Sequence, residues 1–200
     1  MRAGSAASAV IAAACLLCAC GRAGDWQTRN ITGLMPRLAF ELTDDRGERL
    51  TAQSLRGKYL FVYYGFTSCP DVCPATLGRL AAVISGLPPA ARERVRVLFV
   101  SVDPQRDSVE RLHQYVGYFG PQFIGLRGDT RALDMLTRRY RVTYAYGTPD
   151  PSGEYDVSHS SAVFVFDPEG RPRLILRDQD PVTAISGDLQ QLLAEDRDRV

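Results

Sequence analysis

No cluster of basic residues interrupts this chain, whose formal net charge is +1 with acids and bases interspersed. A nucleic-acid surface needs a basic stripe or patch, so nucleic acid is not an expected partner. Lysine is reduced to the single Lys58, the other bases being arginine, a compositional bias from which no function follows. Nor is there an excess of apolar or of charged residues. At 45% and 24% they stand in the balance of a soluble globular protein, which excludes a disordered chain and a multi-span membrane protein. Internal repeats and low-complexity segments are absent after residue 36, and 200 residues suffice for one domain with a sizeable core plus a short N-terminal appendage.

The first twenty residues, MRAGSAASAVIAAACLLCAC, are of a different kind. Arg2 precedes an uninterrupted small and apolar stretch, which is short for a membrane span and has the layout of an export signal. Its end, Leu17-Cys18-Ala19-Cys20, is similar to a bacterial lipoprotein box, in which the final cysteine is lipidated and becomes the new N-terminus. The expectation is a signal peptide over 1–20, a lipid anchor at Cys20, a polar tether over 21–36 and a folded domain over 37–200. That domain would be held on the periplasmic face of a bacterial membrane. An uncleaved signal anchor is the alternative, and either places the domain outside the cytoplasm.

Cysteine and histidine are scarce, five and two in number. Cys15 and Cys18 would leave with the signal and Cys20 would carry lipid, so only Cys69 and Cys73 remain in the mature domain. A structural disulfide is the ordinary reading of two nearby cysteines in an exported protein. Closing so short a loop restricts the unfolded chain little, however, so a chemical role is favoured.

Periodicity places the pair. Arg37 to Asp44 alternates like an edge strand before the turn Asp45-Arg46-Gly47, and Tyr59 to Phe66 is a continuous run typical of a strand buried on both faces. A helix starts near Pro74, with Leu77, Leu80, Ala81 and Ile84 at helical spacing. Val95 to Val102 is a second buried strand, followed by a helix around Leu112 and Val116, the short strand QFIGL and the helix TRALDMLTRRY. A long Gly/Pro/Asp-rich loop, with room for a small hairpin, leads to an antiparallel hairpin and a last helix from about Val182 to Leu193. The implied fold is α/β, a mixed central sheet with helices on both faces in thioredoxin-like order. Cys69 and Cys73 then sit where a central strand passes into its helix, at the end of the sheet where sites gather.

At a helix start, amide groups and the positive dipole end favour thiolate at Cys69. The spacing permits either a disulfide or a shared metal ion. Thioredoxins usually have two residues between their cysteines, where this chain has Pro70-Asp71-Val72. They also usually carry a cis-proline before the strand that follows the long loop, where this chain reads Val157-Ser158-His159-Ser160-Ser161. In this topology His159 faces the cysteine helix and becomes a candidate ligand, whereas His113 borders an apolar helix face and is expected to be bland. Two thiolates and one imidazole suit copper(I), or copper(II) with a weak extra ligand, while structural zinc would want a fourth strong ligand that no further cysteine provides.

The segments GFTSCPDVCP, VSVDPQRDSVERLHQYV, FIGLRGD and VSHSSAVFVFDPEGR together resemble the Sco/SenC copper proteins, from about Leu38 to Arg173 and in the family's motif order. The resemblance implies a thioredoxin-like fold and a copper site, for Cu(I) or Cu(II), made by Cys69, Cys73 and His159. It also implies a metallochaperone that assists assembly of the binuclear copper centre of cytochrome c oxidase. The expected partners are subunit II of that oxidase or another exported copper protein, and other copper chaperones. Asp71 and Asp103 match family positions and are expected to shape loops. Three departures stand out: Ser68 where many members have histidine, Ser158 where many have an acid, and a lipoprotein-type start where many have a transmembrane helix. The rival from another class is a thiol–disulfide oxidoreductase with Cys69 and Cys73 as its redox-active pair. A peroxidase similar to the peroxiredoxins and a lipoprotein scaffold with a structural disulfide are weaker rivals.

Overall fold

Tyr59 to Gly65 is buried at every position, as a strand between two helical layers must be. The computed structural model describes residues 25–197. The expected signal over 1–20, the lipid anchor at Cys20 and the first tether residues, 21–24, lie outside the described residues. No helix among the described residues is long and apolar enough to cross a membrane.

The strands are β1 (Arg29–Asn30), β2 (Glu41–Asp44), β3 (Arg49–Thr51), β4 (Tyr59–Gly65), β5 (Val95–Ser101), β6 (Phe123–Arg127), β7 (Tyr144–Tyr146), β8 (Val157–His159), β9 (Val163–Phe166) and β10 (Pro172–Leu176). The helices are α1 (Val72–Ser85), α2 (Pro89–Arg92), α3 (Val109–Gly117), α4 (Thr130–Tyr140) and α5 (Val182–Arg197). An eight-stranded sheet runs β1-β10-β9-β4-β5-β6-β2-β3, with β4, β5 and β6 parallel and β9 and β2 antiparallel to their neighbours in that core. It is the mixed, helix-flanked α/β sheet expected from the sequence.

Alternation along the central strands sends their side chains into two cores. Tyr59, Phe61, Tyr63, Val97 and Phe99 pack under α1, α3 and α5, in one cluster with Cys73, Leu77, Leu112 and Leu189. Leu60, Val62, Tyr64, Leu98 and Val100 pack against Leu133, Leu136 and Tyr140 of α4 on the other face. Both layers are predominantly apolar at their centres, which fixes the register of β4 and so the place where its C-terminal end releases the chain into the cysteine turn.

Three local expectations are modified. Residues 25–36, read as tether, include β1, which pairs with β10, and the buried Ile31. Gln27 N–H, Thr28 N–H and Thr28 Oγ1 all donate to the buried carboxylate of Asp188. The segment reads as polar because its contribution is hydrogen bonds to a buried acid rather than apolar area. The expected edge strand Arg37–Asp44 shortens to β2, which lies between β6 and β3, and β3 is the edge. Upstream of β2 the backbone is satisfied elsewhere: Leu38 N–H donates to Gly170 O and Ala39 N–H to Tyr140 Oη. Finally, after the stop at Gly86 the two prolines start α2, with Pro89 in its first turn.

Candidate metal centre

At the end of β4 the chain turns back through Phe66, Thr67, Ser68 and Cys69, closed by Cys69 N–H donating to Phe66 O at 3.2 Å. Cys73 lies in the first turn of α1, where Cys73 N–H points at Cys69 Sγ, 3.4 Å away. An amide of a helix start therefore donates to the first sulfur, as the sequence position implied. His159 ends β8, which pairs with β7 in a separate two-stranded ribbon with Tyr144 opposite His159. The small hairpin for which the long loop had room is thus present.

The three side chains converge: Cys69 Sγ, Cys73 Sγ and a ring nitrogen of His159 lie within 4.8 Å of one another. His159 Nε2 is 3.4 Å from Cys73 Sγ. His159 Nδ1 lies 3.1 Å from Ser160 O, and since a carbonyl can only accept, the ring proton sits on Nδ1. In the neutral ring the lone pair of Nε2 therefore faces the sulfurs. Tyr63 and Phe66 hold the ring edge-on, with centroids 5.9 and 5.8 Å away.

Cys73 is completely buried, and burial pushes its thiol up to about 12, an effect that hydrogen bonds from Tyr63 Oη (3.6 Å) and the Phe66 backbone only partly offset. Burial likewise pushes Tyr63 above its ordinary value, so its hydroxyl remains a donor to the sulfur. Without a metal, Cys73 is a neutral thiol whose S–H can point at Nε2. A soft cation that supplies charge at this point would replace that proton. Cys69 is only half-buried, beside Ser68 and Pro70 on a groove of about 560 Å³ that Phe66, Arg106 and Tyr155 also line.

The space for the sulfur comes from Gly65. A Cβ at that position would stand 2.6 Å from Cys73 Sγ and 2.7 Å from Phe99 Cε2. The turn itself is tied down by Asp107, a fully buried carboxylate. It accepts from Thr67 N–H (3.1 Å), Thr67 Oγ1 (2.6 Å) and Ser101 Oγ (2.6 Å). Arg111 adds a second tie, donating to Thr67 Oγ1 at 2.6 Å and to Ser68 Oγ at 3.0 Å. Gly65, Asp107 and Arg111 were not singled out from the sequence. The DPQRD segment holds Asp107, but nothing in its spacing shows that Thr67 lies opposite.

Among the described residues, no other residue joins the cysteine–histidine cluster. Asp71 is exposed at the N-cap of α1 without a side-chain cap bond, and Asp103 is buried and bonded to Tyr155 and Arg106. His113 pairs with Asp45 instead, Nδ1 to Oδ2 at 2.8 Å. Ser68 and Ser158 are exposed, and Ser158 Oγ reaches only Ala145 O, at 3.5 Å.

The Arabidopsis thaliana mitochondrial protein SCO1 homolog 1 is 41% identical over 130 residues, covering 65% of this chain and 39% of that protein. The human mitochondrial SCO2 homolog is 39% identical over 137 residues, covering 66% of this chain and 50% of that protein. The chain thus spans about half or less of the length of these curated relatives. A crystal structure of Arabidopsis thaliana ScoI with copper bound superposes with a TM-score of 0.71 at 34% identity, covering 80% of this chain and 98% of that one. The fold is accordingly thioredoxin-like. The SCO1/SenC family profile matches residues 35–194, a span that holds both cysteines, the histidine and the network beneath them, and the chain belongs to the SCO1/SenC family.

Proposed function

We propose that this chain is a metallochaperone that carries copper on Cys69 Sγ, Cys73 Sγ and His159 Nε2 and passes it to an exported copper protein. The foremost recipient is subunit II of cytochrome c oxidase, whose binuclear copper centre it would help assemble. A lipid anchor at Cys20 and a place on the periplasmic face of a bacterial membrane belong to the same proposal, supported by the export-type layout of residues 1–20.

One observation carries the reading. Two sulfurs and an imidazole nitrogen lie within 4.8 Å of one another, with the other ring nitrogen engaged by Ser160 O, a donor set that favours copper over harder cations. Copper is the cargo, and its chemistry here is soft coordination by sulfur. The protein's residues do the rest. The Nδ1–H bond to Ser160 O keeps Nε2 available, and Tyr63 Oη stabilises the buried sulfur once it is deprotonated. Half-buried Cys69 is the ligand that a recipient's own sulfur reaches first, so transfer proceeds by ligand exchange from that side.

The test is a titration of the reduced chain with copper(II) under anaerobic conditions, read by absorption. Thiolate-to-copper charge-transfer bands should form with one equivalent and be lost in Cys69→Ser, Cys73→Ser and His159→Ala. Wild-type affinity and spectrum in His159→Ala would end the three-ligand reading. A second reading, thiol–disulfide reduction of the recipient by the same pair, is favoured by the Cys73 N–H bond to Cys69 Sγ, which marks Cys69 as the attacking thiolate. For that reading Cys69→Ser abolishes disulfide reduction while His159→Ala leaves it largely intact.

A further inference from the structure

The ribbon that carries His159 pairs with no strand of the main sheet. At its root Tyr144 Oη donates to Asp134 Oδ1 at 3.1 Å. Along its outer half the ties run to the segment after β5. Tyr146 Oη donates to Val102 O, and Tyr155 Oη donates to Asp103 Oδ1 at 2.7 Å. Arg106 gathers the rest. Its Nε donates to buried Asp103, its Nη1 donates to Tyr155 O at 3.0 Å, and its guanidinium lies 3.9 Å from the centroid of the Tyr155 ring. The same guanidinium is 5.7 Å from the Phe66 ring, against which His159 rests edge-on at 5.8 Å. Arg106 therefore stands between the ribbon and the aromatic ring that seats the histidine.

The neighbouring residue, Asp107, holds the cysteine turn. One short segment, 103–107, thus anchors both halves of the cluster, the sulfurs through Asp107 and the imidazole ribbon through Asp103 and Arg106.

We propose that Arg106 is a positioning residue for the nitrogen ligand. By clamping Tyr155 against Asp103 it fixes the ribbon so that His159 Nε2 faces Cys73, and so sets how long copper is retained. A planar guanidinium supplies the ring stack, the bond to the Tyr155 carbonyl and the ion pair at once, which an ammonium cannot. The bond to exposed Glu154, at 3.2 Å, adds little. The clamp acts on the metal site of the copper-carrying reading and rests on it for its consequence.

The experiment uses the full-length chain, loaded with copper(I) and mixed with excess chelator, with release followed by stopped flow. Arg106→Met should release copper about tenfold faster or more, with Arg106→Lys in between. In a His159→Ala background Arg106→Met should bring no further acceleration, because the ligand through which it acts is gone. In the copper-free chain the His159 ring resonances, shifted by the rings of Tyr63 and Phe66, should move toward those of a free imidazole in Arg106→Met. Tyr155→Phe, which removes only the bond to Asp103, should act in the same direction to a smaller extent and serves if Arg106→Met does not fold. Wild-type release with unmoved resonances overturns the inference, as does equal acceleration in the His159→Ala background. A wild-type chain that takes up no copper would instead overturn the copper-carrying reading, while the copper-free resonances would still decide the clamp.

Discussion

Adding one methyl group at Gly65 should harm the copper site more than it harms the fold. Gly65 closes β4 directly beneath Cys73, and a Cβ there would meet Cys73 Sγ at 2.6 Å, Phe99 Cε2 at 2.7 Å and Phe99 Cζ at 3.2 Å. Non-bonded heavy atoms settle at about 3.5–4.0 Å, so sulfur or ring must retreat by about 1 Å. The ring has no free direction. Phe99 is completely buried, with Tyr63 at 6.1 Å and Tyr115 at 5.3 Å between centroids. Overpacking of this kind costs about 1–3 kcal/mol, well short of the whole stability of a domain. A metal site is less tolerant, since ligand distances hold to about 0.2 Å, and a displaced sulfur should lower copper affinity about 10- to 100-fold. Gly78 of α1 is the control, because a Cβ there meets nothing within 4 Å. Gly78→Ala should stabilise the helix by about 0.5–1 kcal/mol and leave copper affinity unchanged. Guanidinium unfolding of the copper-free proteins and a competition titration with a copper chelator read the two effects separately. Gly65→Ala with wild-type affinity would refute the packing of Cys73 Sγ against β4.

Two further outcomes follow from the buried groups. The folded Cys73 thiol, held up to about 12 against an ordinary value of 9, binds its proton more tightly than the unfolded chain does. Its contribution to stability is therefore complete below about pH 9 and is lost between 9 and 12, at about 1.4 kcal/mol per pH unit. Chemical unfolding of the reduced chain and of Cys73→Ala at pH 8 and pH 10 should show that loss in the difference between them, and a constant difference would contradict the burial argument. Asp107→Ala leaves Ser101 Oγ and both donors of Thr67 without their acceptor in a buried site, and should cost about 3 kcal/mol or more. Thermal unfolding checks it, and an unchanged midpoint would contradict the role given to Asp107 in holding the cysteine turn.

Much of the frame was legible because the strongest local signals and the tertiary structure agree. The unbroken run at Tyr59 to Gly65 is buried on both faces, and the helical spacing of Leu77, Leu80 and Ile84 falls on the face that α1 buries. The cysteine positions followed from that strand–helix junction. His159 was legible through topology, since the order of strands brings it opposite the thiols, and through the resemblance of VSHSSAVFVFDPEGR to the Sco/SenC proteins; its polar loop by itself does not distinguish a ligand histidine. The supporting groups were illegible for a different reason. Asp107 touches Thr67 across 40 positions of sequence, and Arg106 reaches Tyr155 across 49, so neither contact leaves a short-range pattern. Gly65 reads as one more strand residue until the neighbours of its missing Cβ are known. The polar stretch before Leu38 looked like tether because its worth lies in donors for Asp188, a partner 160 positions away from Thr28.

The most direct test of the central claim is pulsed electron paramagnetic resonance of the copper(II)-loaded chain. One imidazole should couple to the metal through Nε2, with the protonated Nδ1 as its remote nitrogen, and that coupling should vanish in His159→Ala. Coupling that persists in His159→Ala, or is absent from the wild-type chain, would contradict the assignment of Cys69, Cys73 and His159 as the copper ligands.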